Sequence, residues 1–369
     1  MKKILLDYRA ATVKPNSGVA RQIYALEAYL QARSDVDLLL VSDGPLDHVD
    51  RERMIMPAKG VGLDQVPRPF RRLWYEQVFL RRIIKEQKPD IFYGAINSGL
   101  PIFGSSQTTY IQWVHDLFHI TEKDAFPSFV AKLRYLPYYW FSFYTSMRLA
   151  DKVHVISNYT CHECVRLFPF VKDKIIKIYN YVEQPTEFEK ADVAGLPDNY
   201  WLIVSSNESR KNLPRFLTQW AGLDDDERLP LVLVGEESPF LREMQAQPDF
   251  YFYSKVSDSE LNTLYMSASC LWQPSLAEGF GLPVIEALVR GTPIAVARGS
   301  ALDEITPQGM PNFDGRSEED IRRCMRQLAL KPPARPQKDK VSQWVTQFDY
   351  AAFSRQLDEL LNPLLMLAD

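Results

Sequence analysis

The 369-residue sequence contains little cysteine, and its apolar runs are too short to cross a bilayer. The cysteines are Cys161, Cys164, Cys270 and Cys324. They are too few for a disulfide framework, and the lone CxxC at 161–164 has no second pair to complete a metal site. The N-terminal MKKILLDYRA becomes polar too soon for a signal peptide. These absences predict a cytoplasmic protein whose cysteines are structural thiols.

Two motifs of nucleotide and metal chemistry are absent as well. No GxGxxG follows the first predicted strand, which excludes a Rossmann dehydrogenase. No DxD-type motif lies at a predicted strand end, because the acidic GLDDDE at 222–227 is typical of a loop. We therefore expect no metal site and no cofactor.

What is present is a globular composition, with 46% hydrophobic and 24% charged residues. The length exceeds that at which single cores usually stop growing, so two domains are expected. Residues 1–185 carry 25 basic and 19 acidic side chains, whereas the remainder carries 18 and 28. The N-terminal half is therefore better suited to an anionic partner or membrane surface, and no nucleic-acid partner is expected.

Short β-rich runs alternate with longer helical stretches along the chain. The predicted strands lie at 2–8, 36–42, 90–96, 109–116, 152–158, 200–206, 230–236, 269–275 and 292–298. This alternation predicts an α/β protein with two doubly wound, Rossmann-like domains, each built on a parallel sheet.

The predicted domain boundaries follow from the gap between the two strand series. An N-terminal domain at 1–184 precedes a linker at 185–198 and a second domain at 199–340. A terminal helix at 341–369 is predicted to pack across both domains. Because open α/β sheets bind ligands beyond the carboxyl ends of their strands, the active site is expected in a cleft between the domains.

The densest motif is SLAEGFGLPVIEALVRGTPIAV at 275–296, in which a strand end passes through a turn into a helix. Glu278 lies in the turn and Glu286 about two helical turns later. A carboxylate accepts two hydrogen bonds from vicinal hydroxyls, so one glutamate is suited to a sugar and the other to a ribose. Isolated glutamates are more often plain surface charges.

The turn itself is suited to bind oxygen anions. Backbone N–H groups around Phe280, Gly281 and Leu282 lie at a helix N-terminus, which favours phosphate or sugar oxygens. Gly279 and Gly281 lack a Cβ atom and therefore permit a close approach.

The string AEGFGLPVIEAL resembles the signature of the GT-B retaining glycosyltransferases of family 4, also called glycosyl transferases group 1. The resemblance covers nearly the whole chain. It implies that Glu278 contacts donor-sugar hydroxyls, that Glu286 contacts the ribose, and that the turn at 279–282 contributes to donor binding.

Two further segments match this family. In VSSNESRKNLPRFL at 204–217, Arg210 and Lys211 resemble the basic pair that neutralises the donor diphosphate. Two cations suit a leaving group that gains negative charge. In KPNSGVARQIYAL at 14–26, Gly18 stands where the family brings backbone close to the phosphates, although two glycines are common there.

The resemblance also covers WVHDLFHI at 113–120, where His115 matches a histidine that lines the cleft near the transferred sugar. An isolated histidine at a strand end is more often structural. In IYNYVEQ at 178–184 the chain departs from the family's Asn-Gly-Val-Asp, because Tyr181 and Glu183 replace Gly and Asp while Asn180 is retained.

The family resemblance implies a retaining, metal-independent hexosyltransferase of surface-polysaccharide synthesis. Likeness to bacterial surface-polysaccharide mannosyltransferases makes GDP-mannose the first choice of donor, with UDP- or dTDP-sugars as alternatives. The expected acceptor is a glycan or a lipid-linked sugar. Two alternatives remain open, namely a nucleotide-sugar epimerase of the same fold and an inactive glycan-binding homologue.

Two segments of the first half, 68–88 and 127–147, mix aromatic with basic residues. The basic residues of the first are Arg68, Arg71, Arg72, Arg81, Arg82, Lys85 and Lys88. We expect most of the apolar residues Leu73, Val78, Leu133 and Phe141 to belong to a helical core. The excess of charge and aromatics predicts a weak peripheral contact with an anionic membrane.

Overall fold

The computed structural model describes residues 1–45, 53–57, 68–122, 126, 128–336 and 338–366, with backbone alone at 68, 69 and 338–340. The chain forms two compact units. The first contains Met1–Tyr181 together with the chain from Phe353 onward, and the second contains Val182–Ala352. Within the described residues, no helix has the length and apolar character needed to cross a membrane.

The first unit is built on a seven-stranded parallel sheet. Its strands are β1 (Lys2–Asp7), β2 (Val36–Val41), β3 (Met54–Ile55), β4 (Ile91–Gly94), β5 (Thr109–Val114), β6 (Lys152–Val155) and β7 (Ile175–Lys177). Their order is β3-β2-β1-β4-β5-β6-β7. The chain therefore winds outward in both directions from β1 and β4, and the sheet's switch point lies between these two strands.

The helices of the first unit flank this sheet. They are α1 (Arg9–Val13), α2 (Gly18–Gln31), α3 (Arg68–Trp74), α4 (Leu80–Gln87), α5 (Phe118–Thr121), α6 (Phe129–Leu149) and α7 (Asn158–Leu167). A π-helical turn at Tyr75–Phe79 joins α3 to α4. Helices α2, α6 and α7 begin after Ser17, Ser128 and Ser157, whose side chains accept a backbone N–H from the first turn and so stabilise each start.

The second unit contains a six-stranded parallel sheet. Its strands are β8 (Trp201–Ser205), β9 (Leu231–Gly235), β10 (Phe250–Tyr253), β11 (Cys270–Gln273), β12 (Ile294–Ala297) and β13 (Asn312–Phe313). The order β10-β9-β8-β11-β12-β13 places the switch point between β8 and β11. Aromatic rings fill the core beside the switch point. The ring centroid of Trp272 lies 5.1 Å from that of Trp201 and 5.2 Å from that of Phe216.

Seven helices of the second unit are described, together with short turns at Ser209–Lys211 and Thr346–Phe348. The helices are α8 (Leu213–Ala221), α9 (Pro239–Met244), α10 (Asp258–Ser267), α11 (Leu282–Val289), α12 (Ala301–Ile305), α13 (Glu318–Leu330) and α14 (Lys338–Val345). Both sheets are thus covered by helices, as the alternating pattern of the sequence predicts.

The C-terminal segment, predicted as one helix over 341–369, forms two helices in the described residues. Helix α14 ends at Val345, and α15 (Tyr350–Met366) begins after Asp349. The side chain of Asp349 accepts a hydrogen bond from the Ala352 N–H at 2.7 Å, which caps α15 and separates it from the preceding turn. In the first unit, Asp358 of α15 accepts hydrogen bonds from Tyr29 and Arg33.

The outward face of α6 is apolar, contrary to the expectation from the sequence. Exposed on it are Phe129, Val130, Leu133, Trp140, Phe141 and Tyr144, which we name the α6 stripe. The opposite face packs into the core through Phe143 and Met147. The expected core positions Leu133 and Phe141 are therefore exposed, as is Val78 in the π-helical turn.

Candidate functional site

The predicted basic pair and the first glutamate meet at the switch point of the second sheet. Arg210 and Lys211 follow β8, and Glu278 follows the neighbouring strand β11. Residues distant in sequence are brought together because the carboxyl ends of adjacent parallel strands lie at one edge of the sheet. This is where a doubly wound domain binds its ligand.

Glu278 is the centre of a buried charge cluster. Its Oε2 accepts a hydrogen bond from Arg210 Nη1 at 2.6 Å, and its Oε1 accepts one from Lys211 Nζ at 2.7 Å. The amide of Gln273, the last residue of β11, donates to the same Oε1 at 2.7 Å. The side chains of Arg210, Lys211 and Glu278 are 13%, 11% and 6% exposed, so water screens these contacts weakly.

The cluster keeps Glu278 ionised. Burial alone would raise the pKa of this carboxyl, but Lys211 and Arg210 outweigh burial and lower the pKa to about 2. The three buried groups Arg210, Lys211 and Glu278 together carry one positive charge. Glu208, which accepts a hydrogen bond from Arg210 Nε at 2.8 Å, brings the formal charge of the four groups to zero, but its side chain is 43% exposed, so water screens its charge more strongly.

Asn212 holds the basic pair in place. It adopts a left-handed conformation with φ 58°, which ends the short turn at Ser209–Lys211 and starts α8. Its side-chain amide donates to the backbone carbonyls of Pro274 and Gly315 at 3.2 and 2.8 Å. The loop after β8 is thereby tied to the loop after β11, which fixes the distance between the cations and Glu278.

The glycine-containing turn starts α11. Gly281 has φ 113°, which favours glycine, and a Cβ atom there would lie 2.6 Å from the Leu302 side chain. Phe280 is buried edge-to-face against Phe348 at 5.5 Å. The turn also contains Gly279 and leads into Leu282 at the first position of the helix. The positive end of the α11 helix dipole therefore lies at this glycine-containing turn.

Glu286 lies in α11, as predicted, and is also buried. Its Oε2 accepts a hydrogen bond from the hydroxyl of Tyr265 in α10 at 2.8 Å. Arg290, one turn later, donates to the Glu286 carbonyl at 2.9 Å and to the Asn262 side chain. A second carboxylate is thus held in a fixed position within the same unit, about two helical turns from Glu278 in sequence.

The two predicted site residues of the first unit occupy ordered positions. His115 follows β5, and its Nε2 lies 3.2 Å from the Ala95 carbonyl, which accepts a hydrogen bond only from a protonated nitrogen. Burial lowers the pKa of His115 to about 4, so the imidazole is neutral at neutral pH. Gly18 is the first residue of α2, next to the capping Ser17. The roles of both stay predictions.

The segment that departs from the family pattern is held by hydrogen bonds to α2. Asn180 is buried, and the backbone of Tyr181 exchanges two hydrogen bonds of 2.8 Å with the side chain of Gln22 in α2. Tyr181 therefore contacts Gln22 through its backbone N–H and carbonyl, which any residue except proline supplies.

Several site residues were not predicted. Gln273 and Asn212 position the cluster, and Tyr265 binds Glu286. A polar glutamine at the end of the otherwise apolar strand CLWQ was the one available signal in the sequence. Among the described residues, no group of three or more His, Cys, Asp and Glu side chains is placed to hold a metal ion.

Two family models match successive segments of the chain. Residues 16–184 match the family model described as Glycosyltransferase Family 4, and residues 186–335 match that of Glycosyl transferases group 1. The second match contains every predicted site residue of the second unit, from Arg210 to Glu286.

Curated relatives cover part of the chain. The O-antigen chain mannosyltransferase RfbU of Salmonella typhimurium is 25% identical over 244 residues, which are 64% of this chain and 65% of that protein. The O-antigen chain mannosyltransferase B of Escherichia coli is 26% identical over 44% of this chain and 48% of its own length. The chain thus spans less than two thirds of the length of either relative.

Solved structures resemble nearly the whole chain. Sucrose-phosphate synthase from Thermosynechococcus elongatus has a TM-score of 0.72 at 16% identity and covers 99% of both chains. Anabaena HepE in complex with UDP and glucose has a TM-score of 0.70 at 13% identity, over 98% of this chain and 100% of that one. The likeness confirms the GT-B fold predicted from the sequence.

The lowered pKa of Glu278 predicts how its contribution to stability depends on pH. Its ordinary value is 4.5 and its folded value about 2, so the stability it contributes is complete above pH 4.5 and is lost as pH falls toward 2. The difference in unfolding free energy between the unaltered protein and Glu278→Gln should shrink by about 2 kcal/mol between pH 6 and pH 3.

Denaturant unfolding at the two pH values measures this difference. Glu319→Gln, at an exposed position of α13, is the matched control and should show almost no change. An equal difference for Glu278→Gln at both pH values would contradict the lowered pKa.

Proposed function

We propose, from the premise that the chain belongs to the family 4 glycosyltransferases (glycosyl transferases group 1), that it moves a hexose from a nucleotide-sugar donor to a glycan or lipid-linked acceptor. The single observation that carries the proposal is the cluster of Arg210, Lys211 and Glu278 at the switch point of the second sheet. A charge arrangement of this kind suits a diphosphate leaving group.

The basic pair neutralises the leaving group. Glu278 holds the guanidinium of Arg210 and the ammonium of Lys211 at 2.6 and 2.7 Å, so both cations are positioned before the reaction. Preorganised charges stabilise a transition state without reorganising during the reaction. A donor diphosphate beside them would receive hydrogen bonds from two cations, and its growing negative charge would strengthen those bonds.

The two glutamates bind hydroxyl groups of the donor. Ionised Glu278 accepts hydrogen bonds from the transferred sugar, and Glu286, fixed by Tyr265, accepts those of the ribose. The N-terminus of α11 after Gly281 adds its positive end to the same phosphates.

Transfer proceeds with retention of the anomeric configuration and without a metal. The bond from the sugar's anomeric carbon to the phosphate oxygen breaks, and the acceptor oxygen bonds to the same face of that carbon. The departing phosphate oxygen takes the acceptor's proton, so no enzyme nucleophile is needed. Arg210 and Lys211 supply the positive charge that a metal supplies elsewhere, and neutral His115 adds hydrogen-bonding capacity without charge.

The donor is GDP-mannose, with UDP- and dTDP-sugars as the alternatives. The support is the likeness to the O-antigen mannosyltransferases of Salmonella typhimurium and Escherichia coli, whose names also support surface-polysaccharide synthesis. A screen that identifies the released nucleoside diphosphate tests the donor. The same screen without acceptor separates transfer from epimerisation, since an epimerase converts donor alone.

Removing one charge of the site should abolish most of the turnover. Lys211→Ala and Glu286→Ala should each lower kcat/KM about a hundredfold or more, because a preorganised contact of this kind stabilises the transition state by ~3 kcal/mol. Arg215→Ala on the exposed side of α8 is the control for Lys211. Circular dichroism checks that the folds match, and near-native activity of either site variant would refute the assignment.

Chelation of divalent metal ions should leave the activity intact. The expected rate in excess EDTA equals the rate without it, because Arg210 and Lys211 neutralise the leaving group. Loss of activity on chelation, with recovery on adding magnesium or manganese, is the result that excludes a metal-independent reaction.

We further propose that the first unit binds peripherally to an anionic membrane surface at the cytoplasmic face through the α6 stripe. Phe129, Val130 and Leu133 are 80%, 74% and 70% exposed, so this part of α6 presents a continuous apolar surface. From Phe129 to Tyr144 the stripe is about 22 Å long at 1.5 Å per residue. It therefore has the dimensions of an interfacial helix.

Charge complementarity identifies the occupant as an anionic lipid surface. The charged residues of α6 are Lys132, Arg134 and Arg148, and the helix has no acidic residue. Each basic residue near an anionic leaflet contributes about 1 kcal/mol of attraction. Trp140 and Tyr144 combine an apolar ring with a polar group, as residues of membrane interfaces do.

The basic residues of 68–88 contribute less than the sequence predicts. Arg72 is paired with the buried Glu76 at 2.8 Å, and Arg82 lies 3.6 Å from Glu86. The side chain of Arg68, like Pro127 at the start of the second segment, lies outside the described residues. The membrane proposal thus rests on α6, which would bring a lipid-linked acceptor to the first unit.

Liposome co-sedimentation tests the membrane proposal. The protein should sediment with vesicles containing about a third phosphatidylglycerol at low salt, and salt should release it because it screens the attraction. Leu133→Asp with Phe141→Asp should abolish binding. Leu330→Asp is the control, since Leu330 is 83% exposed but lies in the second unit. Protein that stays in the supernatant with anionic vesicles at low salt would disprove the contact.

A further inference from the structure

The first unit contains a second buried charge cluster, which the motifs of the sequence do not include. It consists of Asp7, Arg9, Arg72, Glu76 and Tyr138, and we name it the switch-point cluster. Asp7 is the last residue of β1, and Arg9 begins α1 directly after it. The cluster therefore lies where the order of the first sheet reverses between β1 and β4, the position at which doubly wound sheets bind ligands.

The inner part of the cluster is closed to solvent. Arg9 donates to both carboxylate oxygens of Asp7, with Nη2–Oδ2 at 2.6 Å, and its Nη1 lies 3.4 Å from Glu76 Oε1. The side chains of Arg9 and Glu76 are 7% and 1% exposed. Buried ion pairs of this kind are costly to desolvate and are weak evidence for stability. Their position at a switch point makes them a candidate binding site.

The outer part is accessible. The Arg72 side chain is 30% exposed, and its Nε donates to Glu76 Oε1 at 2.8 Å. The hydroxyl of the partly exposed Tyr138 donates to Glu76 at 3.1 to 3.2 Å. Glu76 lies in the π-helical turn at 75–79, a feature frequent at functional sites. The buried carboxylate of Glu76 thus positions the guanidinium of Arg72 and the phenol of Tyr138 at the partly exposed side of the cluster.

The loop after β4 is fitted closely to this cluster. Gly99 has φ 127°, and a Cβ atom there would lie 2.5 Å from Glu76 Oε1. The preceding Ser98 carbonyl accepts a hydrogen bond from Arg72 Nη2 at 3.1 Å. The loop therefore contacts Arg72, whose guanidinium carbon also lies 5.6 and 5.9 Å from the ring centroids of Tyr138 and Tyr139.

We infer that Arg72 and Tyr138 bind the hydroxyl groups of the acceptor sugar, an inference that rests on the proposed function, and that Glu76 positions both side chains. Both carboxylates of the cluster, Asp7 and Glu76, are buried beside its two arginines, so their charges are weakly screened and offset those of the arginines, which does not favour an anionic ligand. A guanidinium donates hydrogen bonds to neutral hydroxyls, and a phenol both donates to them and accepts from them. Tyr139, stacked on His119 at 4.3 Å, adds an aromatic surface beside Arg72 for the apolar face of a sugar.

Steady-state kinetics with a separable acceptor tests this inference. The probe is whichever octyl glycoside of mannose, galactose, glucose or N-acetylglucosamine the unaltered protein glycosylates. Arg72→Ala and Arg72→Lys should raise the KM for this acceptor about tenfold, because lysine does not reproduce the planar fork of arginine. The KM for the donor should change less than twofold. Arg166→Ala, at an exposed position of α7, should change neither constant.

Tyr138→Phe is a second variant that tests the same inference if the arginine variants fail to fold. It removes one hydroxyl and should raise the acceptor KM several-fold with little change in thermal stability. Acceptor KM values within twofold of the unaltered protein, or equal increases for acceptor and donor, would overturn the inference while leaving the proposed function intact. Failure of the unaltered protein to transfer sugar from any nucleotide sugar would instead overturn the proposed function and this inference with it.

Discussion

The ion pairs between Glu278 and the two cations Arg210 and Lys211 are the constraint on which the second unit's site depends. Two buried cations repel each other and lose hydration, so they remain close together only because a carboxylate lies between them. Gln273 completes the polar contacts of that carboxylate, and Asn212 ties together the two loops that carry the charges. The first sheet repeats this principle with Glu76 between Arg9 and Arg72. In both units a polar cluster lies at the switch point of the sheet, where the strand order reverses.

Much of the fold follows from the sequence, and the strands that were missed share one position in the sheets. All nine predicted strands are present, whereas β3, β7, β10 and β13 were missed. These four are the outermost strands of the two sheets. An edge strand pairs on one side only and is often short, and β7 contains three residues. β10, with the sequence FYFY, is as long as β4, β6, β11 and β12, so its length does not explain why it was missed. β3 and β13 contain two residues each, which no periodicity detects.

The residues of the Glu278 cluster were detectable in the sequence where they stand in local motifs, and their roles stay predictions. Arg210 with Lys211, and Glu278 with Glu286, stand in motifs whose order along the chain is visible in the sequence. Gln273 offered one signal, a polar residue at the end of an apolar strand, whereas Asn212 offered none, because it acts through a left-handed backbone conformation. The switch-point cluster was out of reach for a different reason. It joins Arg9 to Glu76, 67 positions apart, and only the sheet order brings them together.

Helix α6 shows why an apolar pattern alone does not determine which face is buried. Its inner face contains small and polar residues, such as Ser142 and Ser146, that fit closely against the loop after β4 through hydrogen bonds to Ser98 and to the Gly99 and Leu100 N–H groups. Those contacts orient the helix, and the larger residues Leu133 and Phe141 are consequently left outside. The same serines that hold the loop beside Glu76 therefore turn the α6 stripe outward. Acceptor binding and membrane contact, as proposed for this unit, would then depend on one helix with two different faces.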